Sequence, residues 1–142
     1  MILLDVNILL YAYNKDAGNY AAAARWIKHL FEGPDAVGLP WITLWAFVRL
    51  VTNPRVWPNP KTPKEAFEIV REWLALPSVV VVQPGPRHAE ILERMVVDNR
   101  AAGPLTTDAA LAALAIEHGA TLASADRDFS RFQGLRWVNP IP

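Results

Sequence analysis

Four short apolar runs, Ile2–Leu4, 36–39, Val79–Val82 and Thr121–Ala123, are separated by stretches in which apolar residues recur every three or four positions. An unbroken run of this kind reads as a strand covered on both faces, because a half-exposed strand alternates polar with apolar. Strands separated by helices do not pair as hairpins, so each crosses over the sheet to lie parallel to a neighbour. The pattern predicts a three-layer α/β/α fold with a mainly parallel central sheet. A length of 142 residues with 52% hydrophobic content suits one domain, spanning residues 1–142, around one such core.

The helices follow from the same periodicity. Residues 8–13 form a short one. Residues 20–31 place Ala22, Ala23, Trp26, Ile27, Leu30 and Phe31 at helical spacing and stop at Gly33-Pro34. Trp41–Val51 follows Pro40 and is interrupted only by Thr43 and Arg49, which predicts burial on most sides. Thr62-Pro63-Lys64-Glu65 combines a capping box with proline in the first turn and starts a helix over Pro63–Ala75. Residues 87–99 carry Ile91, Leu92, Met95 and Val96 on one side, and an alanine-rich helix over 108–118 ends at Gly119. Residues 126–132 read as a turn, and 135–138 as a candidate edge strand.

Formal net charge is zero, with 14 basic and 14 acidic residues, so contact with a nucleic acid requires a local basic patch. The absence of cysteine excludes disulfides, thiolate metal sites and cysteine nucleophiles, and fits a reducing compartment. Met1-Ile2-Leu3-Leu4-Asp5 lacks the features of a signal peptide, and no stretch approaches the roughly 18 apolar residues of a membrane span. A cytoplasmic protein without membrane contact is expected.

The acids carry the chemistry. Asp5 follows the first strand, Asp108 opens a helix, and Asp126 and Asp128 follow the fourth strand. Ligands of open parallel sheets collect at the carboxyl ends of the strands. Clustered carboxylates repel one another unless a cation holds them, and an all-oxygen set without cysteine or nearby histidine favours Mg²⁺, with Mn²⁺ as substitute. Each acid also has a structural explanation: an Asx turn with Asn7 for Asp5, the positive end of a helix capped by Thr106-Thr107 for Asp108, and a polar turn for Asp126-Arg127-Asp128.

Four segments resemble, in order and spacing, the signatures of PIN-domain toxins of the VapC type, over residues 1 to about 137. They are Leu3-Leu4-Asp5-Val6-Asn7-Ile8-Leu9-Leu10-Tyr11-Ala12; Pro40-Trp41 leading into Phe47-Val48-Arg49-Leu50-Val51-Thr52-Asn53-Pro54-Arg55-Val56; Thr107-Asp108-Ala109-Ala110-Leu111-Ala112-Ala113-Leu114-Ala115; and Leu122-Ala123-Ser124-Ala125-Asp126-Arg127-Asp128-Phe129. The resemblance implies a magnesium-dependent endoribonuclease that cleaves structured RNA such as transfer or ribosomal RNA. It also implies inhibition by a small cognate antitoxin and a homodimer. The metal-ligating acids then map to Asp5, Asp108 and Asp126, with Asp128 as a further catalytic acid and Asn7 and Ser124 as supporting hydrogen-bond partners.

One position departs from the pattern. Many members carry a glutamate where alignment on Phe47-Val48-Arg49 puts Ala46. The alternative that follows is a catalytically impaired PIN fold retained for binding an antitoxin or RNA.

Arg49, Arg55 and Arg127 are the candidate RNA contacts, since arginine grips a phosphate with two hydrogen bonds. Trp41, Trp45, Trp26 and Trp73 are read as core or dimer-interface residues rather than base-stacking ones. His118 is read as a cap on its helix C-terminus. A phosphorelay receiver also places acids at strand ends, but it needs an acid after the third strand and a late lysine. Gln83-Pro84 follows Val79–Val82 here, and no lysine lies beyond Lys64.

Overall fold

The computed structural model describes residues 1–142. It contains strands β1 (Ile2–Leu4), β2 (Val37–Pro40), β3 (Val79–Val82), β4 (Thr121–Ala123) and β5 (Arg136–Val138). Helices α1 (Val6–Tyr13), α2 (Tyr20–Glu32), α3 (Trp41–Val51), α4 (Pro63–Ala75), α5 (His88–Asp98) and α6 (Thr106–Glu117) connect them. The strands form one sheet in the order β3-β2-β1-β4-β5 with every pair parallel, and no helix is long and apolar enough to cross a membrane.

Successive residues on a strand point to opposite faces, and the core divides accordingly. Leu4, Val37, Leu39 and Ala123 pack with Ile8, Ile27, Leu44, Phe47, Val70 and Trp73. Leu3, Val82 and Leu122 pack with Ile91, Met95, Ala109, Ala112 and Phe129. Helices thus cover both faces, as the apolar runs predict. Trp73 belongs to this core: its indole N–H donates to the Tyr13 hydroxyl at 3.2 Å, and its ring meets Phe47 edge-on at 4.7 Å.

Two expectations about burial need correction. The apolar run Val79–Val82 is an edge strand with Val80 43% exposed, because β3 pairs with β2 alone. Helix α3 is buried on most sides, but Trp41 and Trp45 are 46% and 53% exposed, so neither is a core residue. The outward residues of α3 are Trp41, Trp45 and Arg49, one per turn along a single ridge.

Local signals held more firmly. Thr62 and Glu65 form the reciprocal capping box at the start of α4. Gly119 takes a positive φ of 62° directly after α6, a conformation that glycine adopts without strain. His118 is the C-cap of α6, but its Nε2 meets the Gln83 carbonyl at 2.7 Å rather than the helix's own last carbonyls. Helix α1 begins at Val6, two residues earlier than its periodicity indicates, because Asp5 caps it. Helix α6 likewise begins at Thr106, after a single 3₁₀ turn.

Candidate active site

The sheet order creates a place for a ligand. From β1 the chain steps outward to β2 and β3, then returns to the other side of β1 as β4 and β5. The carboxyl ends of β1 and β4 therefore flank a topological switch point, where connections diverge and leave a crevice. Register does the rest: Leu4 pairs with Ala123, so the next residues, Asp5 and Ser124, emerge side by side.

Asp5 is fixed by short local bonds. Its Oδ1 accepts from the Val6 backbone N–H at 2.7 Å, and its Oδ2 accepts from the Ser124 hydroxyl at 2.7 Å. Ser124 is fully buried. A hydroxyl offers one hydrogen and two lone pairs. Ser124 gives the hydrogen to Asp5 and accepts from Asn7 Nδ2 and from the Asp126 backbone N–H, both at 3.0 Å, so its capacity is filled. Asn7 Oδ1 accepts from the Ala125 N–H at 3.2 Å, and the Trp137 indole donates to the Ser124 carbonyl at 3.0 Å. The ends of β1 and β4 are stitched into one polar unit around Asp5.

Asp126 caps the 3₁₀ turn Arg127–Arg131 by accepting from the Asp128 N–H at 2.9 Å, so the polar-turn reading of this segment holds as well. Asp108 stands in the first turn of α6, and the expected Thr106-Thr107 cap is absent: Leu105 occupies the cap position without a side-chain bond. Buried Thr43, which reads in the sequence only as an interruption of an apolar helix, donates to the Leu4 carbonyl at 2.8 Å and ties α3 to the end of β1.

Asp5 and Asp108 open into one cavity of about 340 Å³, which Val6, Ile42, Thr43, Trp45, Ala46, Arg49, Thr107 and Leu111 complete. Burial pushes the Asp108 carboxyl up to about 6, and the negative charges of Asp126, Asp5 and Asp128 push the same way, against Arg131. Burial also raises Asp5, opposed by its bonds from Ser124 and Val6, with the charge of Asp126 adding to the rise. Acids from three chain segments thus act on one another electrostatically.

The acids do not close into a ready cage; no three His, Asp or Glu side chains gather tightly enough to enclose an ion. Four carboxylates that repel one another stay apart without a counter-charge. Magnesium suits such a loose oxygen set, since it keeps several of its waters and takes only one or two carboxylates plus substrate phosphate oxygens.

Of the three arginines singled out in the sequence, Arg49 lines the cavity, while Arg55 and Arg127 are exposed and lie outside its wall. Ala46, at the departing position, lines the cavity beside both acids. Sequence reasoning missed Ile42 and Trp45 as wall residues. Their spacing with Ala46 and Arg49 on α3 was the available signal.

Residues 2–135 match the PIN domain. Ribonuclease VapC37 of Mycobacterium tuberculosis (strain ATCC 25618 / H37Rv) is 44% identical over 140 residues, covering 99% of this chain and 97% of the relative. Ribonuclease VapC43 of the same strain is 39% identical over 141 residues, covering 99% and 96%. Among solved structures, VapBC2 from Rickettsia felis, bound to a DNA fragment from their promoter, shares the fold with a TM-score of 0.71 at 19% identity over 98% of both chains. The chain belongs to the PIN-domain family and, within it, to the VapC ribonucleases.

Proposed function

We propose that this chain is a magnesium-dependent endoribonuclease, the toxin of a toxin–antitoxin pair, which cleaves structured cellular RNA and is restrained by a small cognate antitoxin. The observation that carries this reading is the cavity shared by Asp5 and Asp108 at the switch point of the sheet, with Asp126 and Asp128 close enough to raise the Asp108 carboxyl. The close likeness to named VapC ribonucleases supports the activity class. The VapBC fold neighbour is a complex, as its name states, and a partner protein for this chain follows by analogy.

Asp5, Asp108 and Asp126 are the residues that would hold Mg²⁺ or Mn²⁺, which when bound acidifies a coordinated water and offsets charge on the phosphate oxygens. Ser124 orients Asp5 and, with Asn7, keeps its carboxylate aimed from a saturated hydrogen-bond network. Asp128 adds negative charge at the rim. Arg49 offers a guanidinium on the cavity wall for a substrate phosphate. With Ala46 in place of an acid, the free protein has donors for one ion, and further ligands arrive with the RNA.

The same alanine favours one other reading, a fold that binds RNA or antitoxin without cutting. Incubation of the purified chain with total cellular RNA separates the two. The nuclease reading predicts discrete fragments in Mg²⁺, none in EDTA and none from Asp5→Asn. Intact RNA from the parent chain, or equal cleavage by Asp5→Asn, overturns it.

A further inference from the structure

We infer that Trp45 is the stacking platform for a nucleobase flanking the scissile phosphate, with Arg49 one helical turn on as the clamp for that phosphate. This rests on the ribonuclease reading and extends it to how the strand is held.

Of the six tryptophans, Trp57 and Trp73 are buried and Trp26 and Trp137 half-buried. Trp137 is also anchored by its bond to the Ser124 carbonyl. Trp41 and Trp45 differ. They stand out from α3 with about half of each residue in water, although the sheet face beneath α3 is already filled by Leu44, Phe47 and Val51. Trp45 is the one that also walls the cavity containing Asp5 and Asp108. Residues four apart on a helix lie on one face about 6 Å apart, so Trp41, Trp45 and Arg49 make a continuous ridge that ends in a cation.

The mixture of groups selects the ligand. One part of the cavity presents carboxylates that need a counter-charge; another presents the Trp45 indole, a guanidinium and the apolar residues Val6, Ile42, Ala46 and Leu111. An aliphatic segment of a protein partner would use the apolar wall and leave Arg49 without an anion. A nucleotide supplies both a flat π-face for Trp45 and a phosphate for Arg49, and its phosphate oxygens complete the shell of an ion on the acids. A cavity of about 340 Å³ lies at the small end of ligand sites, which suits one nucleotide rather than a folded element. Ala46 contributes by omission: a glutamate there would place negative charge next to the indole, whereas alanine keeps that wall apolar. The ridge continues to Trp41, which offers a second face to the adjoining base.

The test compares the parent chain with Trp45→Leu, which keeps apolar bulk without the ring, and Trp45→Phe, which keeps a ring. Each is titrated into a fluorescently labelled, mixed-sequence, single-stranded oligoribonucleotide in Ca²⁺, so that the acids keep a counter-charge, and binding is read while the oligonucleotide is intact. Loss of one stacked base predicts roughly five- to hundredfold weaker binding for Trp45→Leu, with most of the affinity kept by Trp45→Phe. Equal behaviour of parent and Trp45→Leu, whether both bind or neither does, overturns the assignment. Mass measurements on the same samples identify the competing occupant: a dimer in the parent that Trp45→Leu breaks, with RNA affinity unchanged, makes the ridge an interface between copies. If the parent cleaves RNA in Mg²⁺ and Trp45→Leu binds as tightly as it does, only the stacking role fails. If the parent cleaves nothing, the ribonuclease reading fails and takes this inference with it.

Discussion

The Ser124 hydroxyl donates to Asp5 Oδ2 at 2.7 Å across 119 residues of chain, and the same oxygen accepts from Asn7 and from the Asp126 backbone. Replacement by alanine removes three bonds at once and leaves two part-buried donors without partners. Ser124→Ala is expected to lower metal affinity and cleavage rate roughly ten- to hundredfold. The cost to stability is about 1–3 kcal/mol, measurable by denaturant unfolding. Unchanged cleavage by a folded Ser124→Ala chain would show that Asp5 needs no orienting partner.

Asp108 titrates near 6 in the folded chain against an ordinary value of 3.8. Between those values the native state binds a proton that the unfolded chain has already released, so stability falls as pH rises through the window. In EDTA the chain is expected to melt at a higher temperature near pH 5 than near pH 7. Asp108→Asn removes this contribution, and its melting temperature should vary less over the same range. An equal pH dependence in the variant would contradict a raised Asp108 carboxyl, whose main cause is burial, with repulsion from the other acids adding to it.

Ala46 lines the cavity beside Asp5 and Asp108. Ala46→Glu adds a like charge there, so the metal-free protein should melt a few degrees lower, about 1 kcal/mol less stable. Millimolar Mg²⁺ should raise the melting temperature of this variant by more than that of the parent. The same rise in both would mean that the cavity does not hold the ion.

Arg49 walls the cavity and Arg55 does not. Arg49→Ala should reduce kcat/KM by roughly tenfold or more, the scale of one charge-assisted hydrogen bond. Arg55→Ala should cost several-fold less in the same assay. Equal losses from both would point to diffuse electrostatic attraction in place of a phosphate clamp.

Much of this organisation can be read from the sequence because its signals are local. Unbroken apolar runs mark strands, Thr62 and Glu65 announce a cap, and Gly119 ends a helix. Asp5 after a strand and Asp108 at a helix start are equally local to place, whereas their assignment to one metal is implied by the four-segment resemblance to PIN-domain toxins. What is not legible depends on neighbours distant in the chain. Val79–Val82 has the same composition whether it lies at the centre or the edge of a sheet, and only strand order leaves Val80 exposed. The same limit applies to α3, whose apolar sequence gives no sign that Trp41 and Trp45 project away from the core. Thr43 looked like an interruption because its acceptor, the Leu4 carbonyl, belongs to another segment.

If Asp5 and Asp108 serve one divalent ion, titration with Mn²⁺ followed by electron paramagnetic resonance reads it directly. The parent chain should take up the ion, and Asp5→Asn and Asp108→Asn should each abolish the same bound signal while remaining folded. Undiminished Mn²⁺ binding by both variants would contradict the shared site.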